Sequence, residues 1–133
     1  MKDAMPTPHP TEGELAILQV LWDQRAPCTV REVHEALSRH KDTAYTTVLK
    51  MMTIMADKGL LHRDESERSH RYASAHPRPA VQKVLVKDLL ARAFSGSALQ
   101  LVQRALDVDS PDAAELDAIA RLIAAAKARR AKR

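Results

Sequence analysis

Apolar side chains recur every three or four residues over most of this chain, with polar ones between them. Leu15, Leu18, Leu21 and Trp22 follow the tetrad T-E-G-E. There Thr11 can accept a hydrogen bond from the amide three residues on, and Glu14 can reach back to the Thr11 amide. This spacing predicts a first helix reaching about Gln24, with Pro27 as its breaker. Residues 26–28 then read as a short extended link and a candidate minor strand of a later sheet. Thr29 opens a second capping box, T-V-R-E, and Val30, Val33 and Leu37 line one face of a second helix. After a polar turn at Lys41 and Asp42, Thr43 is the expected cap of a third helix, with Tyr45, Val48, Met52 and Met55 on its inner face. Gly59 suits the left-handed position that ends a helix, and Leu60 can pack back on it.

The next segment, L-H-R-D-E-S-E-R-S-H-R-Y, places two short strand-like pieces around a polar tip. Three short helices followed by such a hairpin are the sequence form of a winged helix-turn-helix. The run A-H-P-R-P, Ala75 to Pro79, is the clearest boundary, and beyond it the pattern is helical again. Val81, Val84, Leu85 and Leu89 form one apolar stripe, and Leu99, Val102 and Leu106 another. A last helix is expected from Ser110, with Pro111 at its first position. It places Leu116, Ile119, Ile123 and Ala126 on one side. These stripes are too thin to close a core alone, and burying them against a second copy is the economical solution. The expected architecture is mostly α: a loose or disordered stretch at 1–10, a winged helix-turn-helix at 11–76, a helical dimerisation region at 77–126 and a basic tail at 127–133.

Composition narrows the picture. The aromatic share is 3%, so aliphatic and methionine side chains must fill the interior. No apolar run approaches the roughly 18 residues of a membrane span, and the start lacks the apolar segment of a signal peptide. The single Cys28 excludes an internal disulfide and fits a reducing compartment, which predicts a cytoplasmic protein. The net charge of +4 does not by itself identify a nucleic-acid binder. Residues 1–80 hold 11 basic and 11 acidic side chains, and five of the remaining basic groups lie in the last seven residues. Any DNA argument must therefore rest on local placement.

That placement favours the third helix. Thr46, Lys50, Thr53 and Asp57 recur opposite the apolar stripe, with Thr47 beside Thr46. Short hydroxyls and a lysine can donate and accept at base edges without filling a major groove. In the hairpin, Arg68 and Arg71 are candidates for the phosphate backbone, with ion pairing inside the hairpin as the alternative. Thr29 and Arg31 stand where the free amides of a helix start favour a phosphate, and Thr43, at the start of the third helix, is a further DNA-contact candidate. The segment H-E-A-L-S-R-H, His34 to His40, lacks the spacing of the zinc signature it superficially suggests. Its second histidine lies six residues on, about 240° around the helix. No metal or cofactor is expected, and no nucleophile–base pair or phosphate loop points to an enzyme.

Three of these stretches resemble the penicillinase-repressor (BlaI/MecI/CopY type) family: E-L-A-I-L-Q-V-L-W, T-V-R-E-V-H-E-A-L and Y-T-T-V-L-K-M-M-T-I-M-A-D-K-G-L-L. The resemblance spans roughly residues 11–126 and is most specific in the first 75 or so. It implies a homodimeric repressor on a dyad-symmetric operator, with Thr46, Thr47 and Lys50 at positions where members contact DNA. Leu49 and Ile54 stand where relatives often carry a basic residue, so phosphate contacts from those sites are not implied. The C-terminal cysteine cluster of copper-responsive members is absent, and A-F-S-G-S-A-L, Ala93 to Leu99, does not match the Asn-Phe bond cut in beta-lactam-responsive members. Relief by a membrane sensor protease is implied only in outline. The leading expectation is a repressor bound to a palindromic promoter operator. The competing one is a helical adaptor that engages a protein partner through residues 81–126.

Overall fold

Both capping boxes form. In this computed structural model, which describes residues 6–132, Thr11 Oγ1 accepts the Glu14 amide at 3.2 Å and the Glu14 carboxylate accepts the Thr11 amide at 2.9 Å. Thr29 and Glu32 repeat the exchange at 3.2 and 2.8 Å. These caps start α1 (Glu12–Gln24) and α2 (Val30–Ser38) by satisfying amides that have no partner within the helix. Helix α1 stops at Arg25, which adopts φ 59 and donates its amide to the Leu21 carbonyl. The chain has thus already left the helix two residues before Pro27. Residues 26–28 then run extended, and Cys28 bridges Tyr72 through amide–carbonyl bonds of 2.9 and 2.8 Å. The minor strand expected there is this single bridge.

Helix α3 (Tyr45–Lys58) begins one residue later than expected. Ala44, not Thr43, occupies its cap and makes no side-chain bond. Thr43 is held otherwise: its carbonyl accepts His34 Nε2–H at 2.7 Å, and its hydroxyl donates to the Lys41 carbonyl at 3.4 Å. Gly59 ends the helix at φ 89, and the Leu60 amide reaches back to the Met55 carbonyl at 2.9 Å. A side chain with a Cβ would be strained at that φ. This cap drives Leu60 into the core and turns the chain directly into β1 (Leu61–Asp64), which pairs antiparallel with β2 (Arg71–Ser74). Opposite residues are Leu61 with Ser74, His62 with Ala73, Arg63 with Tyr72 and Asp64 with Arg71.

The chain forms two compact units, Met1–Asp88 and Leu89–Arg133. In the first, Ile17, Leu18, Val33, Val48, Met52, Met55, Leu60 and Val81 are fully buried, closed at the hairpin side by Cys28, Leu61 and Tyr72. Tyr45 departs from the expected core stripe. It is 44% exposed, its ring edge-on to His34 at 5.7 Å, because it opens the helix beyond the reach of the layer formed by Val48, Met52 and Met55. Of the loose N-terminal stretch expected at 1–10, residues 1–5 lie outside the described residues. Residues 6–10 have no regular structure, yet Pro10 is buried and His9 lies 3.4 Å from Asp88.

Helix α4 (Arg78–Ala93) begins in the first unit, and two expectations change with it. Compactness places the break after Asp88, not at the 76/77 boundary, and Val81 is a core residue of the first unit. Leu85 packs against the same core. A side chain already enclosed cannot also meet a second copy, so Val81 leaves the dimerisation set. The A-H-P-R-P run is itself anchored. His76 Nε2–H donates to the Gly59 carbonyl at 3.0 Å, and Arg78 stacks its guanidinium 5.1 Å from the Trp22 ring centroid.

The second unit holds the end of α4, α5 (Ala98–Val108) and α6 (Ala113–Ala131). Its last helix starts at Ala113, later than the Ser110–Pro111 start expected, because Asp112 caps it by accepting the Glu115 amide at 2.8 Å. No residue of α5 or α6 is buried. Leu89, Leu99, Val102, Leu106, Leu116 and Ile123 all stand exposed, and Ile119 is half-buried. Among the described residues no helix is long and apolar enough to cross a membrane.

Candidate nucleic-acid interface

The outward side of α3 follows from its inward side. With Val48, Met52 and Met55 fixed in the core, a 3.6-residue period turns Thr46, Lys50 and Asp57 away from it. Thr46, Thr47 and Lys50 are exposed, and their side chains make no hydrogen bond or ion pair among the described residues. Thr53 differs: its hydroxyl donates to the Leu49 carbonyl one turn back at 2.9 Å, which leaves it only acceptor capacity outward. Three polar side chains in the first two turns are thus available to a partner, and the fourth is occupied by its own helix.

A groove of about 530 Å³ runs beside this face. Its walls are the start of α2 (Thr29, Val30, Arg31), α3 (Tyr45, Leu49) and the far arm of the hairpin (Arg68, Ser69, His70, Tyr72). Thr29, Arg31 and Arg68, separated in sequence, therefore share one surface. Thr47 borders a different groove, of about 810 Å³, between α1 and α3, whose lining includes Thr43. Tyr45 and Leu49 had no place in the site read from sequence. The signal that could have marked them is their spacing of four, which stacks them along one edge of the core stripe of α3.

The hairpin cations divide. Arg63 bonds Glu65 at 2.7 Å, and its interaction with Tyr72 opposite, then with Glu65, raises its pKa further. Arg71 lies 3.5 Å from Glu32 and 3.7 Å from Glu67, so the ion-pairing alternative describes this residue. Arg68 is exposed and makes no ion pair among the described residues. The Ser66 amide bonds the Asp64 carboxylate at 2.9 Å and holds its pKa below the ordinary value, so the tip keeps a negative charge that phosphate would avoid. Burial, aided by the Glu32 carboxylate, pushes the Cys28 thiol up, which keeps it an unreactive core group. His34 serves the Thr43 carbonyl, and among the described residues no three His, Cys, Asp or Glu side chains converge as a metal site.

The family model described as penicillinase repressor matches residues 10–125. A protein named transcriptional regulator BlaI, from two strains of Mycobacterium tuberculosis, is 39% identical over 111 residues, which are 84% of this chain and 80% of that protein. A solution structure of the Bacillus licheniformis BlaI monomeric form in complex with the blaP half-operator is 22% identical. It matches with a TM-score of 0.48 over 55% of this chain and 88% of that one.

Proposed function

The chain belongs to the penicillinase-repressor family, and from that premise we propose that it represses transcription by occupying a palindromic operator as a homodimer. The family is one of repressors and not of enzymes. One observation carries the DNA reading. Thr46, Thr47 and Lys50 stand unpartnered on the outer side of α3, with Arg31 and Arg68 on the walls of the adjoining groove. In this reading the early turns of α3 enter the major groove, where the threonines meet base edges and Lys50 a base or phosphate. Arg31 and Arg68, on the walls of one groove, hold phosphates and set register without choosing sequence.

The second unit supplies the dimer. Exposed Leu89, Leu99, Val102, Leu106, Leu116 and Ile123 need a cover, and a second copy of the same stripes provides one. Joining two units makes the second half-site contact effectively intramolecular, at roughly millimolar effective concentration. Half-sites then lie about one or two helical turns apart. Relief by a membrane sensor protease belongs to the same proposal. No bond in the chain is assigned as its target.

The test is titration of the full chain against duplexes from its own promoter and against random duplexes over a range of salt, together with sedimentation. A dimer with salt-sensitive affinity and clear preference for one promoter segment is the expected result. A heterodimer lacking DNA affinity would overturn the reading in favour of the adaptor.

A further inference from the structure

The outer surface of α3 also carries an aliphatic group among its polar ones. Leu49 is 40% exposed, whereas neighbouring Val48 is fully enclosed. It is the fifth residue of the helix, one turn from both Tyr45 and Thr46, and Lys50 follows it directly. Its side chain lines the groove that Arg31 and Arg68 also line. The core of a protein–protein contact is depleted of charged residues, so a leucine set in a cationic groove suits a polyanion better than an apolar protein partner. Leucine can read neither donor nor acceptor. On a base edge in the major groove it can recognise only the C5-methyl of thymine.

We propose that Leu49 is a specificity-determining residue that selects a thymine methyl in each half-site. The proposal rests on the DNA reading above and adds to it the chemistry of one base. Its position favours it over Ile54, which is 42% exposed but lies in the third turn and outside the groove. Base contacts come mainly from the first turns of a recognition helix.

The experiment begins by enriching a preferred site for the full chain from a pool of random duplexes. Each thymine of that site is then replaced by uracil, which removes the methyl and leaves every hydrogen-bonding group in place. One thymine per half-site should show a loss of about fourfold, the effect of a single buried carbon. Leu49→Ala should bind the thymine site more weakly and lose that sensitivity to uracil, while Ile54→Ala should keep it. The uracil scan on the unaltered protein does not depend on any variant folding. A wild-type protein indifferent to uracil at every thymine overturns the proposal, as does a Leu49→Ala protein that keeps the full penalty. A pool that enriches no sequence overturns the DNA reading itself.

Discussion

Lys58→Met should destabilise the first unit by about 2 kcal/mol near neutral pH, and most of that loss should vanish in acid. Lys58 Nζ lies 2.9 Å from both oxygens of Glu14, whose side chain is only 8% exposed. Burial alone pushes the Glu14 carboxyl up. The Thr11 amide and the Lys58 ammonium outweigh it, and the pKa is held below its ordinary value of 4.5. Removing the ammonium leaves a carboxylate largely out of water with Thr11 as its remaining charge-stabilising partner. Hydrogen bonds to charged groups contribute about 1.5–3 kcal/mol. The 3–5 kcal/mol of a fully buried pair is not reached, because Lys58 itself is 37% exposed and water can enter where it stood. For a unit of this size about 2 kcal/mol corresponds to a fall in melting temperature on the order of 10 °C. The folded pKa lies below the unfolded one, so the contribution is complete above the unfolded value and disappears as pH drops through the folded value. Urea unfolding followed by circular dichroism at about pH 7, 5 and 3 measures this. A gap between wild type and Lys58→Met that stays constant from about pH 7 to pH 3 would refute the charge argument, leaving only lost packing of the lysine stem.

Three further outcomes follow from the geometry. Thr47→Ala should cost about 1–3 kcal/mol on the operator and almost nothing on random DNA, and Lys50→Ala should lower the salt slope by about one if it meets a phosphate; equal loss on both duplexes would remove Thr47 from readout. Arg68→Gln should weaken binding to all sequences alike and flatten the salt dependence with no change in melting, whereas Arg71→Gln should change binding less and melting more, because Glu32 and Glu67 already hold it. In paired titrations and melts, a double variant that binds normally but melts early would assign both arginines to the hairpin. A fragment ending at Asp88 should fold, sediment as a monomer and lose operator affinity by orders of magnitude. One ending at Pro79 should be less stable by at least about 2 kcal/mol, because it lacks the fully buried Val81; equal melting of the two fragments would contradict the placement of Val81.

What the sequence made legible is local chemistry that admits one outcome. Thr11 with Glu14, Thr29 with Glu32 and Gly59 with Leu60 each form within a few residues, so their spacing alone predicts them. The exposed threonines of α3 are legible for a related reason: once Val48, Met52 and Met55 face inward, the helical period leaves Thr46 and Lys50 no other direction. The misplacements share a different cause. Val81 lies in a stripe whose period is as regular as that of Leu99 and Leu106, and period cannot say which core a stripe joins. What decides it is the anchoring of the linker by His76 on Gly59 and by Arg78 on Trp22, contacts across 17 and 56 residues that no local pattern encodes. Thr43 is a good capping residue displaced by His34, nine positions earlier, whose ring donates to its carbonyl.

The same distinction separates the hairpin arginines. Arg68 and Arg71 look equivalent in sequence, but pairing in the register Asp64–Arg71 keeps the second near Glu67 and, across the unit, near Glu32. Glu32 has a double role that links fold to function. Its carboxylate closes the cap of α2 through the Thr29 amide and also partners Arg71, and it sits at the helix start where a phosphate would bind. Anion binding at that helix start must therefore work against a fixed negative charge. On the proposed DNA reading, the backbone contact then falls to Arg31 and Arg68 rather than to the α2 dipole or Arg71, with α3 left to choose the sequence.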